Sequence, residues 1–295
     1  MNSEKHSPRD PTFPSSKTDA AAAATVPSSP QTESEAYKLA FQDNELMLRD
    51  ELRPVRLQLE LLKPELLMQE AKIASTFVMY GSARVPEPVK AQERLAEAKT
   101  DYEKKVAERL VAKSRYYDEA RKLARIASTY PTDEDGQRHF VVTSGGGPSF
   151  MEAANRGAHD EGKESIGLNI TLPHEQLPNE YITPDLSFQF HYFAIRKMHF
   201  LIRARAVAVF PGGYGTFDEM FELLTLIQTG KMHKIPLLVF GKEEFWDRVM
   251  DLDALALEGT ISPGDLDLIT WVETAEEAWS HVCAAYEVCD HPPKV

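Results

Sequence analysis

From about residue 75 onward, short apolar runs alternate with longer stretches of helical periodicity. The runs Thr76-Phe77-Val78-Met79-Tyr80, His139-Phe140-Val141-Val142-Thr143, Glu164 to Ile170, Ala206-Val207-Ala208-Val209-Phe210, Ile235 to Phe240 and Leu268 to Val272 have the length and β-branched or aromatic content of buried strands. Between them the spacing predicts helices over about 89–128, 150–160, 191–203, 220–227, 245–257 and 274–288. The first is long for a crossover helix, and a break is expected near Lys113-Ser114. Pro173 to Pro184 reads as a polar loop and pocket wall, followed by a short apolar segment around Phe188. Alternation of this kind predicts an α/β fold, a Rossmann-like doubly wound parallel sheet. Its ligands would lie outside the carboxyl ends of the strands.

Upstream the pattern differs. Residues 1–34 are rich in Pro, Ser, Thr and Ala with hardly a large apolar side chain, so burial there does not offset chain entropy and a disordered tail is expected. Over 35–74, Tyr37, Phe41, Leu48 and Leu52 recur at helical spacing, and Pro54 and Pro64 each mark a helix start. This predicts an N-terminal helical arm ahead of a nucleotide-binding domain over 75–290.

Charge narrows the partners. Lys plus Arg number 33 against 46 Asp plus Glu, a formal charge of -13 over 295 residues, which argues against nonspecific binding of nucleic acid or anionic membranes. A small anion in a locally positive pocket stays compatible with it. No apolar run has the length of a membrane helix. Cys283 and Cys289 sit six apart on a predicted helix and turn to different faces, so neither a metal pair nor a disulfide is favoured. A reducing, cytoplasmic setting fits. His191 and His199 are two turns apart, and no His, Cys and Asp cluster has metal-ligand spacing, so no metal is expected.

Three glycine or serine turns follow predicted strands: Gly81-Ser82, Gly145-Gly146-Gly147 and Gly212-Gly213-Tyr214-Gly215-Thr216. A glycine turn between strand and helix aims unpaired N–H groups outward at the positive end of the helix dipole, a seat for phosphate. None has the third glycine of a dinucleotide fingerprint, which disfavours NAD. Gly157 to Lys163 falls short of a P-loop, because Glu164 replaces its Ser or Thr. Glu219 sits one turn into the helix after the last turn, where the dipole should keep it ionised. Thr216-x-x-Glu219 also has the form of a capping box, so spacing leaves Glu219 equally open to capping; Ser149-x-x-Glu152 has the same form and reads first as a cap. Arg196 and Lys197, on a predicted helix, read as surface cations until something else singles them out.

Pro211 to Glu219 resembles the PGGxGTxxE signature of the Lonely Guy (LOG) family, once labelled lysine decarboxylases, and Arg196-Lys197 resembles the pair that precedes it there. Gly81-Ser82-Ala83-Arg84, Ser144 to Pro148, Met151 to Ala158 and Leu226 to Lys231 resemble the longer bacterial branch, so the likeness spans about 75–290. It implies a Rossmann-like fold and hydrolysis of the N-glycosidic bond of nucleoside 5′-monophosphates, AMP or cytokinin riboside monophosphates, to free base and ribose 5-phosphate. By the same resemblance Arg196 and Glu219 are the catalytic pair. Gly212, Gly213, Gly215 and Thr216 hold phosphate, and Lys197 and Thr225 line the site with Gly81, Ser82 and Gly145 to Gly147. No cofactor is required, and a homo-oligomer, dimer or larger, is expected. There are departures: Phe193-Ala194 stands where shorter plant-like members carry Met-His, Ser149-Phe150 replaces Gly-Ile, and 89–114 reads as an insertion. The alternatives are a noncatalytic nucleotide or cofactor carrier of the molybdenum-cofactor-carrier kind, and a decarboxylase, for which no pyridoxal-phosphate lysine motif is present.

Overall fold

The structure, a computed structural model, describes residues 13–173 and 177–288. The chain divides into two compact units, one up to Leu59 and one from Glu60 onward. In the first, α1 (Ser16–Ala23) starts where the Ser15 hydroxyl accepts the Thr18 N–H, and it buries no residue. The short α2 (Asn44–Leu48) starts on Asp43 in the same way. Arg56 donates to the carbonyls of Met47 and Arg49 at 2.7 and 2.6 Å. α3 (Arg53–Glu70) runs straight through Pro64, where the sequence predicts a fresh start. Pro64 and Met68 are its buried residues, and that burial offsets the single hydrogen bond the proline cannot make.

From Glu60 the chain builds β1 (Thr76–Tyr80), α4 (Pro88–Glu97), α5 (Asp101–Ser128), β2 (Val141–Ser144), α6 (Phe150–Asp160), β3 (Ile166–Ile170), β4 (Ser187–Phe190), α7 (Phe193–Ile202), β5 (Ala204–Val209), α8 (Tyr214–Gln228), β6 (Leu237–Phe240), α9 (Leu252–Leu257), β7 (Thr270–Val272) and α10 (Ala275–Tyr286). The strands form one seven-stranded parallel sheet in the order β4-β3-β2-β1-β5-β6-β7. This is the α/β, Rossmann-like architecture that the alternation of strands and helices predicts. Both faces are covered, so the strands read as continuous apolar runs and not as alternating ones. Phe77, Met79, Ala206, Ala208 and Leu238 pack with Ala120, Leu123 and Ala153 on one face. Val78, Tyr80, Val207, Val209 and Leu237 pack with Met68, Phe200, Met220 and Leu223 on the other.

Four local expectations change. The break in the long charged helix falls at Ala98 to Thr100, because the Thr100 hydroxyl and the Glu103 carboxylate form a reciprocal capping box there. Lys113-Ser114 passes unbroken, with the Ser114 hydroxyl bonded back to Val111 O. The apolar segment around Phe188 is a full strand, β4, paired to β3. The predicted helix over 245–257 is a 3-10 turn at Trp246–Arg248 followed by α9, which Asp251 caps. Cys283 is disulfide-bonded, against the argument from helical phase. α10 ends at Tyr286 and its C-cap Glu287 is left-handed, so helical phase stops applying at that point. Cys289 lies outside the described residues.

The chain adds β2, β3 and β4 outward on one side of β1, then returns to lay β5 on the other. The carboxyl ends of β1 and β5 are therefore neighbours, with helices leaving them on opposite faces: the topological switch point where such sheets bind ligands. Helix α5 packs closely on α6, and at their contact a Cβ on Gly157 would run into the Arg121 carbonyl and lie 2.6 Å from Ala124 Cβ. Overpacking against backbone has no cheap relief. Gly157→Ala is expected to lower stability by about 1–3 kcal/mol, read as a shift in the denaturant midpoint at unchanged slope.

Candidate active site

Three turns meet at the switch point. The loop after β1 is tied to the loop after β5 by the Ser82 N–H, which donates to Pro211 O at 3.2 Å, and by the Phe210 N–H to Tyr80 O at 2.9 Å. The loop after β2 closes the third side. Together they border a cleft of about 680 Å³ lined by Gly81, Ser82, Gly145, Gly147, Arg196, Gly212, Gly213, Gly215, Thr216 and Glu219. Gly146 lies in the same turn with its back to Asn169. Lys197 and Thr225 do not line the cleft. Lys197 turns outward to Asp218 and Glu222 at 3.0 and 3.2 Å. The Thr225 hydroxyl bonds back to Phe221 O, on the part of α8 that faces α9.

Each glycine turn is built differently. Gly146 is left-handed at φ 75°, and a Cβ there would strike the Asn169 amide. The turn's shape is held from beneath: Ser144 Oγ accepts the Gly146 N–H and donates to Asn155 Oδ1 at 2.7 Å, and Asn155 is fully buried. Asn179, on the loop predicted to wall the pocket, donates its side-chain amide to Gly146 O and Gly147 O, both at 3.1 Å. Residues 174–176 of that loop lie outside the described residues. Gly212 sits so close to the first turn of α8 that a Cβ would collide with Thr216. At Gly213 and Gly215 the opposite holds: neither has positive φ, and nothing lies within 4 Å of a Cβ on either. Their bare backbone leaves the first N–H groups of α8 open to the cleft, and Gly213, as N-cap, has no side chain to occupy them. That is the geometry of an anion seat.

The capping readings of the two acids do not hold. α8 starts at Tyr214 on Gly213, so Thr216 is inside the helix and Glu219 falls in its second turn. On α6, Ser149 is the N-cap but makes no cap bond. Its hydroxyl donates instead to Val85 O, and Glu152 accepts from Tyr117 Oη at 2.8 Å. Ser149 holds φ 67° and ψ −128°, a backbone region that favours glycine, and its tether to the loop after β1 keeps it there.

Glu219 is paired across the cleft with Arg196, Nη1 to Oε1 at 3.3 Å, and the two side chains are only 13% and 9% exposed. The Arg196 Nε–H donates to Leu168 O of β3 at 2.6 Å, and the guanidinium lies over the Phe200 ring at 5.0 Å. A Cβ at Gly145 would press on its Nη2 at 2.7 Å, so that glycine makes room for the arginine. Burial pushes the Glu219 carboxyl up, to about 7, with Arg196 pulling the other way and Asp218 adding to the rise. The ionised Glu219 expected from the helix dipole is therefore corrected. The dipole's effect fades within the first turn, whereas loss of water acts on Glu219 where it sits. Arg196 itself is pushed down by burial and partly restored by Glu219. A carboxyl poised near neutrality beside a fixed cation can hold or release a proton at ordinary pH.

Several cleft residues escaped the sequence reading as site residues, among them Arg84, Met151, Asn169, Leu172, Phe193 and Tyr214. Arg84 and Met151 lay inside recognised stretches. Phe193 and Tyr214, 53% and 97% exposed, are large rings left in water beside the cleft. Among the described residues no group of three or more His, Cys, Asp and Glu is placed to hold a metal ion, and no helix is long and apolar enough to cross a membrane.

The family model described as "Possible lysine decarboxylase" matches residues 151–282, the span from α6 to α10. Cytokinin riboside 5'-monophosphate phosphoribohydrolase LOG3 of Arabidopsis thaliana is 28% identical over 46% of this chain and 63% of its own length. The LOG enzyme of that name from Oryza sativa subsp. japonica is 29% identical over 46% of this chain and 56% of its own. The matches thus span less than two thirds of either relative. Among solved structures, the molybdenum cofactor binding protein of Rippkaea orientalis aligns with a TM-score of 0.43 at 15% identity, over 73% of this chain and 98% of its own. The Moco carrier protein of Chlamydomonas reinhardtii aligns at 0.41 and 15%, over 72% and 98%. Likenesses of that size carry nothing about what this chain binds. Residues 151–282 thus match that family model, and the curated relatives similar to this chain, at modest identity, are LOG phosphoribohydrolases by name.

Proposed function

We propose that the chain hydrolyses the N-glycosidic bond of nucleoside 5′-monophosphates, AMP foremost, to free base and ribose 5-phosphate. The observation that carries this reading is the buried Arg196–Glu219 pair facing an open helix N-terminus in one cleft. The relatives' names, which describe phosphoribohydrolases, support it. The phosphate takes the N–H groups of Gly213 to Thr216, with Arg84 a further cation on the cleft's other border. As the C1′–N bond breaks, its electron pair leaves with the base and positive charge builds on the ribosyl carbon. Glu219, one turn further along α8 than the phosphate seat, stabilises that charge and takes a proton from the attacking water, whose oxygen bonds to C1′. The proton then passes to the departing base nitrogen. Arg196 holds the carboxylate in place and favours its ionised form. A noncatalytic carrier on this fold would use the glycine turns without needing this pair.

Incubation with AMP and other monophosphates, followed by chromatography, should show free base and ribose 5-phosphate released in equal amounts. Binding without release from any monophosphate would leave only the carrier reading. Glu219→Gln is expected to lower kcat by about 10²–10³ while the fold survives, since this residue caps nothing. With Glu219 ionising near 7, activity that needs the carboxylate should rise with pH through about 7. Below that it should fall about tenfold per pH unit; the opposite slope would make Glu219 the proton donor to the base. Gly212→Ala displaces the first turn of α8 and should raise KM for AMP by about ten- to a hundredfold, the scale of one lost hydrogen bond to a charged group.

A further inference from the structure

Helix α7 carries Arg196, yet its own sequence does not cap its N-terminus: Tyr192 is the N-cap and its side chain bonds none of the open N–H groups. The cap comes from another element. Glu60, on α3, accepts the His191 N–H on Oε1 at 2.8 Å and the Tyr192 N–H on Oε2 at 3.1 Å. A carboxylate bound through both oxygens at the positive end of a helix is a strong anchor. The backbone carbonyl of the same residue accepts Nε2–H of buried His199, one turn beyond Arg196, at 3.0 Å. Further along α3, Glu65 accepts from Arg203, the C-cap residue of α7, at 2.7 Å. Helix α3 thus holds α7 at both ends, with Arg196 between them.

The hold reaches the arginine in one step. The Arg196 N–H donates to Tyr192 O at 3.1 Å, so the residue that Glu60 grips is the one that seats the Arg196 backbone. The guanidinium has little slack beyond that. It is fixed to Leu168 O at 2.6 Å, and its contact with Glu219, at 3.3 Å, is already long for a hydrogen bond. A small shift of the first turn of α7 either breaks that contact or swings the guanidinium off Leu168.

We propose that Glu60 is a positioning residue of the active site, a remote N-cap that sets the placement of Arg196 against Glu219. Glu60 lies outside the stretch 151–282 that the family model matches, so this part of the catalytic apparatus comes from the helix ahead of the sheet. The kinetic side of the proposal rests on the glycosidase reading; the structural side does not.

The test compares the full chain with Glu60→Ala, Glu60→Gln and, as a control on the same helix, the exposed Lys63→Ala. Hydrogen exchange over residues 190–197 is measured together with steady-state base release from AMP. Glu60→Ala should speed exchange in that segment and lower kcat by about ten- to a hundredfold, the scale of an ångström-sized misplacement. KM should stay close to that of the parent, because the phosphate seat is on α8. Glu60→Gln, which keeps an acceptor oxygen, should recover part of the loss, and Lys63→Ala should match the parent in both readouts. Unchanged exchange, or faster exchange with an unchanged kcat, overturns the proposal. Should Glu60→Ala not fold, Glu60→Asp replaces it, one methylene short of the two amides, and an unchanged kcat there overturns the proposal equally. If the parent chain releases no base, the glycosidase reading fails on its own. Glu60 is then judged by hydrogen exchange over residues 190–197, where a parent-like rate for Glu60→Ala overturns the proposal.

Discussion

The pairing of β1 with β5 is the constraint on which the rest of the structure depends. The chain runs outward through four strands and must return across the sheet to lay the fifth beside the first. That return sets the carboxyl ends of β1 and β5 side by side with no helix above them. The loops at 81–84 and 211–216 then bond to each other, and the turn at 144–149 is one strand away. Every group in the cleft is placed by this reversal. Strands added in simple order would have scattered the same three turns along the sheet.

Within that frame two opposing effects set the protonation of Glu219. Burial in the cleft disfavours its charge, and Arg196 favours it. Neither wins outright, which leaves the carboxyl poised near neutrality instead of in the usual carboxylate range. Arg196 feels the same contest with the opposite sign of charge. Breaking a buried pair by removing one member commonly costs about 3–5 kcal/mol, so the arrangement is expensive to disturb from either side. It is held by groups that take no part in the chemistry: Leu168 O beneath the guanidinium, Gly145 beside it, and Glu60 at the start of its helix.

A second set of supports holds the glycine turn after β2. Asn155 and Ser144, buried under the second glycine turn, fall inside stretches that carry the family resemblance, but their part in holding the turn shows only in their bonds in the folded chain. Asn179 shows the same thing from the other direction. It is one polar residue in a polar loop, and its role emerges only because the loop folds back onto Gly146 and Gly147. Ser149 is the opposite case: its spacing to Glu152 suggests a cap, but its positive φ and its bond to Val85 make it a tether between two loops.

The sequence by itself determined the architecture, because a sheet buried on both faces leaves a local mark: apolar runs of strand length separated by helical periods. β1 was read to the residue, and the glycine turns stand out because a run of residues without Cβ lets backbone approach a ligand closely. The signature around Pro211 to Glu219 is legible as a family resemblance because its residues are close together in the chain. What only the tertiary structure decided are the contacts between distant residues. Spacing left Glu219 between a cap and a catalytic role, and the start of α8 at Tyr214, together with the approach of Arg196 from 23 positions away, removed the cap. The same is true of Lys197, whose neighbour Arg196 faces the cleft while it does not, since a helix turns successive residues to different sides, and of Thr225, which lies on α8 beyond the cleft. Glu60 is the clearest instance. Nothing near it in the chain marks it, and 131 positions separate it from the helix end it holds.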